Sequence, residues 1–158
     1  MEKRTRASQR VRWVLFIFVL GLIVLSAALA VLHREPWVVP EAERERKNPL
    51  MASDANLAAA QEIYGRKCVD CHGEKGKGDG SEASLYEPRP SNLTDTAAMN
   101  KRTDGELFYQ ISEGRKPMPS FKKKLSEEQR WQLVLLMRWF ARSGANGKTA
   151  TMTASAPK

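Results

Sequence analysis

Two cysteines and a histidine form one short motif, Cys68-Val69-Asp70-Cys71-His72. Two thiols three positions apart, with a histidine directly after the second, are the arrangement through which a c-type haem is attached. Each thiol can form a thioether with one vinyl group of the porphyrin, and the histidine then binds the iron as an axial ligand. Cys68 and Cys71 are the only cysteines in the chain. The motif therefore predicts one covalently bound haem, with His72 on its iron.

Three other kinds of site could use the same residues. A structural zinc site requires four ligands, and the only other histidine, His33, lies far upstream. A thioredoxin-like dithiol requires a surrounding βαβ unit, and no segment near the motif has the alternating pattern of a strand. A disulfide between the two cysteines would leave the adjacent histidine without a role. Haem attachment is the interpretation that uses all three residues.

The sixth position on a haem iron determines what the group can do. A methionine sulfur there raises the reduction potential and occupies the position that oxygen chemistry needs. Four methionines follow the motif, namely Met99, Met118, Met137 and Met152. Met118 lies between Pro117 and Pro119, and the two prolines stiffen the backbone around it. Of the others, Met99 lies beside polar residues, Met137 in a helical pattern and Met152 in the C-terminal stretch. Met118 is therefore predicted as the second axial ligand. The alternative is a surface loop with an incidental methionine.

The N-terminal region has the pattern of a membrane anchor. Residues 1–12 contain five basic side chains and one acidic one, and an uncharged run of twenty residues, 13–32, follows. As a helix this run would be about 30 Å long, which matches the hydrocarbon core of a bilayer. The positive-inside rule then predicts a cytoplasmic N-terminus and a single pass through the membrane, with the rest of the chain on its outer face. A cleaved signal peptide is the alternative, because Ala28-Leu29-Ala30 resembles a cleavage site.

The formal net charge of +8 does not indicate a nucleic-acid-binding protein. Residues 1–12 contribute +4, which is half of the total and belongs with the membrane topology. Residues 51–145 contribute only +2, so this part of the chain lacks the concentrated positive charge that nucleic acid requires. No nucleic-acid partner is expected.

Composition divides the rest of the chain into three parts. Residues 33–53 are charged and contain prolines, which predicts a solvated linker. Residues 54–143 show helical periodicity without alternating strands, which predicts an all-α domain. Residues 144–158 are rich in small and polar side chains, which predicts a disordered tail.

Three helices are predicted within the all-α domain. The first covers residues 57–67, with Ser53, Asp54 or Asn56 as its N-cap. A capping box at residues 103–106 begins the second helix, which Gly114 ends, and another capping box at residues 126–129 begins the last. The glycine-rich loop after the motif is expected to bring backbone close to the porphyrin face.

These segments together resemble a small bacterial class I cytochrome c. The resemblance rests on CVDCHGEKGKGDG, TDGELFYQISEGR, PMPSF and LSEEQRWQLVLLMRWFA, and it covers about residues 54–142. It implies a helical domain around one covalent haem c, with the first and last helices crossing. It also implies thioethers to Cys68 and Cys71, and His72 and Met118 as the axial ligands.

The same resemblance implies a loop proline beside the ligating histidine. In this family a proline carbonyl accepts a hydrogen bond from the histidine Nδ1–H, which fixes the tautomer. Pro90 is the better match and Pro88 the second. The chain departs from the family at Leu136, where relatives often have an aromatic residue, and this affects packing rather than ligation.

The expected function is the transfer of single electrons between partners of a respiratory chain, without any side chain acting as an acid, base or nucleophile. A haem subunit of a larger respiratory complex is the alternative, and a haem enzyme or sensor with a labile sixth ligand is less well supported. Five basic residues lie near Met118 in sequence: Arg115, Lys116, Lys122, Lys123 and Lys124. We expect them to steer docking onto an acidic patch of a redox partner, with an ordinary solvated surface as the alternative.

Overall fold

A computed structural model describes the backbone of residues 2–32 and 37–145, and side chains within residues 9–29 and 37–144. Over these residues the structure contains helices and no β-strand, which confirms the all-α prediction. The predicted tail after residue 145, together with His33 and Met152, lies outside the described residues. The α-helices are α1 (Glu2–Leu32), α2 (Glu41–Arg44), α3 (Asp54–Lys67), α4 (Val69–His72), α5 (Thr96–Asn100), α6 (Asp104–Glu113) and α7 (Glu127–Ala145), and Ala83–Leu85 form a short 3₁₀ helix.

The chain forms two units, Met1–Val38 and Val39–Lys158. The first unit contains α1, and within it the segment Gln9–Leu29 is long and apolar enough to cross a membrane. This segment overlaps the predicted apolar run at residues 13–32. Length and composition of this kind suit a membrane anchor and an N-terminal signal sequence alike.

The second unit is built around α7, which packs against α3, α5 and α6. Where α3 meets α7, the rings of Tyr64 and Phe140 lie 5.2 Å apart between centroids. The predicted crossing of the first and last helices of the domain is therefore confirmed. Leu136, the departure from the family pattern, is fully buried, so an aliphatic side chain fills this part of the core.

Side-chain caps begin the three predicted helices, and α3 begins at Asp54 rather than at residue 57. The Ser53 hydroxyl accepts a hydrogen bond from the Asn56 amide at 3.3 Å, which selects Ser53 among the candidate caps of α3. Both halves of the Thr103–Glu106 capping box are formed at the start of α6. The second capping box forms as well, because the Gln129 amide donates to the Ser126 hydroxyl and the Ser126 amide donates to the Gln129 side chain.

Residues 41–50, which we call the strap, differ from the solvated linker that their composition predicts. The Arg44 carbonyl accepts a hydrogen bond from the Thr103 hydroxyl at 2.7 Å, and the Asn48 side chain donates to the Trp131 carbonyl at 3.0 Å. At its end, Leu50 packs against the hydrophobic core. The strap is therefore part of the folded domain.

Arginines of the strap form ion pairs with residues elsewhere in the domain, which explains why the strap is not a solvated linker. The Arg46 guanidinium donates to Glu43 at 3.1 Å and forms an ion pair with Glu127. It also lies 4.5 Å from the centroid of the Phe108 ring, which is stacked on Trp131. Composition predicts exposure because it does not show that Arg44 and Arg46 pair with Glu106 and Glu127, far along the chain.

A glycine substitution tests whether the strap depends on close contact with α6. A β-carbon on Gly105 would lie 1.9 Å from the Glu43 carbonyl oxygen, so Gly105→Ala is expected to displace the strap and destabilise the domain by about 1–3 kcal/mol. Denaturant unfolding followed by circular dichroism measures this change.

The matched control is Gly65→Ala in α3. A β-carbon there meets nothing within 4 Å, so the same substitution should stabilise the domain by about 0.5–1 kcal/mol through helix propensity. Equal effects of the two substitutions would contradict the close packing of the strap.

Candidate haem-binding site

The cysteine–histidine motif lies at the junction between α3 and α4. The Cys68 amide donates to the Tyr64 carbonyl at 2.9 Å, which ends α3, and the His72 amide donates to the Cys68 carbonyl at 2.8 Å, which closes the turn of α4. Both thiols are free. Burial raises the pKa of the Cys68 thiol to about 12, whereas a redox-active dithiol needs a readily formed thiolate. The environment of the motif therefore does not favour thioredoxin-like chemistry.

The His72 ring is oriented by a backbone carbonyl. Its Nδ1 lies 3.3 Å from the Ser91 carbonyl oxygen, and because a carbonyl only accepts, Nδ1 carries the proton. This tautomer leaves Nε2 as the nitrogen that can bind a metal. Burial lowers the pKa of His72, with the Ser91 hydrogen bond acting in the opposite direction, and the neutral imidazole is the form that acts as a ligand.

The carbonyl opposite His72 belongs to Ser91, whereas the resemblance implies Pro90. The Pro90 carbonyl instead faces Gly78, where a β-carbon would lie 2.4 Å from its oxygen. Gly78 has φ +75°, and this conformation together with its missing side chain brings the two loops together. The predicted kind of contact is present, one residue further along the chain, and Pro90 shapes the loop rather than accepting this hydrogen bond.

The glycine-rich loop folds back onto the motif and onto the loop that carries Ser91. The Tyr64 hydroxyl donates to the Gly73 carbonyl at 2.8 Å, and the Leu93 amide donates to the Gly76 carbonyl at 2.7 Å. A β-carbon on Gly80 would lie 2.2 Å from the Asp70 carbonyl oxygen. The contacts of these glycines are with protein backbone and side chains, and they hold α4 and its histidine in place.

Met118 lies in a loop between α6 and α7, residues 114–125, which we call the methionine loop. Its amide donates to the Arg115 carbonyl at 2.8 Å in a tight turn. Its side chain is partly buried and packs against the same hydrophobic core as Cys68. The other two methionines with described side chains after the motif lie on helices, and Met99 is fully buried in the core.

Comparison with known families identifies the domain. The family model described as "Cytochrome C oxidase, cbb3-type, subunit III" matches residues 55–137, which contain the motif, the glycine-rich loop and the methionine loop. The chain belongs to this cytochrome c family. The resemblance to class I cytochromes c is thereby confirmed, and covalent haem c follows from membership of the family.

This cytochrome is similar to individual proteins of known sequence or structure. It is 30% identical over 83 residues to chloroplastic cytochrome c6 of Chlamydomonas reinhardtii, and the match covers 49% of the chain and 50% of the relative. A chain of the Kuenenia stuttgartiensis reducing HAO-like protein complex Kustc0457/Kustc0458 matches with a TM-score of 0.51 and 28% identity, over 70% of this chain and 53% of that one. A structure titled KustC0563 c-type cytochrome matches with a TM-score of 0.46 and 29% identity, over 51% of this chain and 95% of that one. The cytochrome spans about half the length of the curated relative it matches.

The residues of this cytochrome fit a covalently bound haem. Both thiols are unpaired, the imidazole has its Nδ1 engaged and its Nε2 left for a metal, and a thioether side chain packs on the same core. Among the described residues, no three His, Cys, Asp or Glu side chains are grouped as a separate metal site. The donor set is nitrogen and sulfur, which is the set that six-coordinate haem iron accepts.

Two contacts of the site are not apparent from sequence patterns. The Ser91 carbonyl has no sequence signal of its own, since any residue supplies such a group. Tyr64 occupies a core position of α3, and only the fold shows that its hydroxyl reaches the glycine-rich loop. A buried tyrosine hydroxyl needs a partner, and this general rule was the signal that could have suggested a contact.

Proposed function

We propose that this cytochrome is a membrane-anchored carrier of single electrons in which Cys68 and Cys71 hold the haem and His72 and Met118 bind its iron. The observation that carries the proposal is the orientation of His72, whose Nδ1 is engaged by Ser91 and whose Nε2 is left for the iron. The placement of Met118 on the hydrophobic core shared with Cys68 supports it as the second ligand.

The residues of the chain have separate tasks in this proposal. When bound, haem supplies one-electron chemistry through the ferric and ferrous states of its iron. The two cysteines keep the group attached, and the Ser91 carbonyl keeps the imidazole in one tautomer. The Met118 sulfur would occupy the position on the iron that oxygen or peroxide needs, which would favour electron transfer over catalysis.

Intact mass spectrometry combined with a redox titration tests this function. The purified protein should carry one haem that stays attached after denaturation, and it should titrate reversibly as a one-electron couple. The variant Cys71→Ala, which retains only one thiol for attachment, should lose the second thioether. Turnover of peroxide or of nitrogen oxides at enzymatic rates would contradict a carrier and favour a haem enzyme.

We also propose that α1 remains attached and anchors the haem domain to the outer, periplasmic face of a bacterial cytoplasmic membrane. The support is the apolar segment Gln9–Leu29 together with the basic residues before it. Peptide mapping of the membrane fraction should recover peptides from residues 9–29. Their absence, with a new N-terminus near Ala30, would show that the segment is a cleaved signal sequence.

A haem subunit of a larger redox complex is a second candidate function. The matching family is described as a subunit of an oxidase, and the solved relative above comes from a protein complex. Purification in mild detergent, with identification of the proteins that remain bound, distinguishes a complex subunit from a tethered carrier. A stoichiometric set of partner subunits would favour the complex, and the cytochrome alone would favour a tethered carrier.

The lysines after Met118 are proposed to steer partner docking. Lys122, Lys123 and Lys124 are all exposed, and Lys122 donates to Glu113 at 2.7 Å while Lys124 lies over the Phe121 ring. Replacing all three with glutamine should slow electron exchange with an acidic partner by about tenfold at low ionic strength and weaken the salt dependence of the rate. Stopped-flow measurements over a range of salt concentrations measure both effects.

A matched control removes the same charge from positions outside the haem motif and the methionine loop. The triple variant Lys47→Gln, Lys101→Gln and Arg142→Gln also loses three positive charges, from exposed positions on the strap, just after α5 and near the end of α7. It should leave the rate within about twofold of the unmodified protein, because steering depends on charge near the docking surface. Equal slowing by both triple variants would indicate an effect of net charge only and overturn the docking surface.

A further inference from the structure

Arg130 is a buried arginine on α7 that the proposed function does not use. It is 8% exposed, and burial of a guanidinium is costly unless hydrogen bonds satisfy it. Its Nη1 donates to the Ser112 hydroxyl, and its Nε donates to the Ser126 carbonyl at 3.3 Å. The guanidinium also lies 4.7 Å from the centroid of the Phe108 ring.

The two hydrogen-bond partners of Arg130 stand at the two ends of the methionine loop. Ser112 is in the last turn of α6, just before the loop begins, and Ser126 is the cap residue of α7, directly after the loop ends. One side chain therefore connects the segment that enters the loop to the segment that leaves it.

Ser112 is also the point at which the loop is fastened to α6. Its carbonyl accepts hydrogen bonds from the Ser120 hydroxyl at 2.6 Å and from the Lys122 amide at 3.0 Å. The next contact along the loop joins the Phe121 amide to the Ile111 carbonyl at 3.1 Å. A shift of Ser112 would therefore be transmitted through its carbonyl to the residues that directly follow Met118 and Pro119.

We propose that Arg130 is a positioning residue that holds the methionine loop closed and so keeps the Met118 sulfur on the haem iron. The inference rests on the proposed ligation by Met118. Without the guanidinium, the base of the loop opens more often, and the sixth position is exposed more often to an external ligand. Arg130 does not itself touch the iron or the haem in this proposal.

Arg138 provides a matched control on the same helix. It is also partly buried, and it donates to Asp104 at 2.7 Å, to the Met99 carbonyl at 2.7 Å and to the Arg102 carbonyl at 2.6 Å. These contacts hold α5 and the start of α6 rather than the methionine loop. Arg138→Gln should therefore reduce stability without affecting the sixth position.

The test compares full-length haem-loaded Arg130→Gln, Ser112→Ala and Arg138→Gln with the unmodified protein. Carbon monoxide should bind the reduced Arg130→Gln protein about ten- to a hundredfold faster, as expected for the loss of one hydrogen bond from a charged group. Ser112→Ala should also speed carbon monoxide binding. If Arg130→Gln does not fold, Ser112→Ala alone provides the test. Hydrogen exchange of the Phe121 and Lys122 amides should accelerate in both variants.

The outcomes separate this inference from the proposed function. Arg138→Gln should show unchanged carbon monoxide kinetics and unchanged exchange at the loop amides, even where its unfolding free energy falls. Equal carbon monoxide kinetics in the variants of Arg130, Ser112 and Arg138 would overturn the positioning role while Met118 ligation stands. Rapid carbon monoxide binding by the unmodified protein would instead overturn Met118 ligation, and the amide exchange would then still report whether Arg130 holds the loop.

Discussion

Replacing Met118 with leucine is expected to lower the reduction potential on the order of 100 mV, a modest part of the roughly 0.8 V that axial ligands span. Leucine nearly matches methionine in volume, so the loop can keep its packing while the iron loses its sulfur ligand. The ferric protein should also lose the absorption that arises from charge transfer between methionine sulfur and iron. Redox titration and optical spectroscopy of the purified variant measure both effects.

The other described methionines after the motif supply controls of the same chemistry. Met99→Leu and Met137→Leu each remove one sulfur from the hydrophobic core and its margin with little change of volume. Both should retain the charge-transfer absorption and a nearly unchanged potential. Retention of that absorption in Met118→Leu, or its loss in either control, would assign the sulfur ligand to another residue.

Replacing Trp131 with alanine is expected to destabilise the domain by about 3–5 kcal/mol. The side chain is 2% exposed, and its ring stacks on Phe108 with centroids 4.1 Å apart. A stacked pair contributes beyond the area that it buries, and the Arg46 guanidinium of the strap also lies 5.3 Å from the centroid of the Trp131 ring. Because domains of this kind are stable by only about 5–15 kcal/mol, the loss should be visible as a large shift of the denaturant midpoint.

A conservative variant of Trp131 and a variant of the strap provide the comparison for this loss of stability. Trp131→Phe keeps an aromatic ring on Phe108 and should lose clearly less stability than the alanine variant. Asn48→Ala removes only the hydrogen bond to the Trp131 carbonyl, and it should cost about 1 kcal/mol. A small loss for Trp131→Ala, comparable with that for Asn48→Ala, would show that the stacked rings are not central to the core.

Local signals made the helices of the domain predictable. The caps of α3, α6 and α7 consist of residues within a few positions of one another, so the sequence contains all the information that each cap requires. The haem motif is local in the same sense, with three chemical groups on one turn. The short helix α5 was not predicted, although its cap, Asp95 accepting from the Ala98 amide at 3.0 Å, is also local.

Long-range pairing made the strap unpredictable. Its residues are charged and flanked by prolines, and the composition rules that predict a solvated linker do not register partners elsewhere in the chain. Arg46 contacts Glu127 on α7 and Phe108 on α6, which are both more than 60 residues away in the sequence. The domain that the structure describes therefore begins before residue 54, the start that composition predicts.

The surroundings of the proposed ligands were predictable in kind and not in detail. A carbonyl beside His72 follows from the need to fix the tautomer, but the choice between Pro90 and Ser91 depends on how the loop passes over Gly78. An arginine in an amphipathic helix is expected in solvent, and the burial of Arg130 depends on Ser112 from another helix. Both details come from tertiary packing.

The central claim is that His72 and Met118 together saturate the haem iron, so that the cytochrome carries electrons rather than activating small molecules. Carbon monoxide titration of the reduced, full-length protein tests it most directly, because carbon monoxide binds ferrous iron only where the sixth position is open. We expect binding to be slow and incomplete in the unmodified protein, and rapid and complete in Met118→Leu. Rapid, complete binding by the unmodified protein would contradict the account.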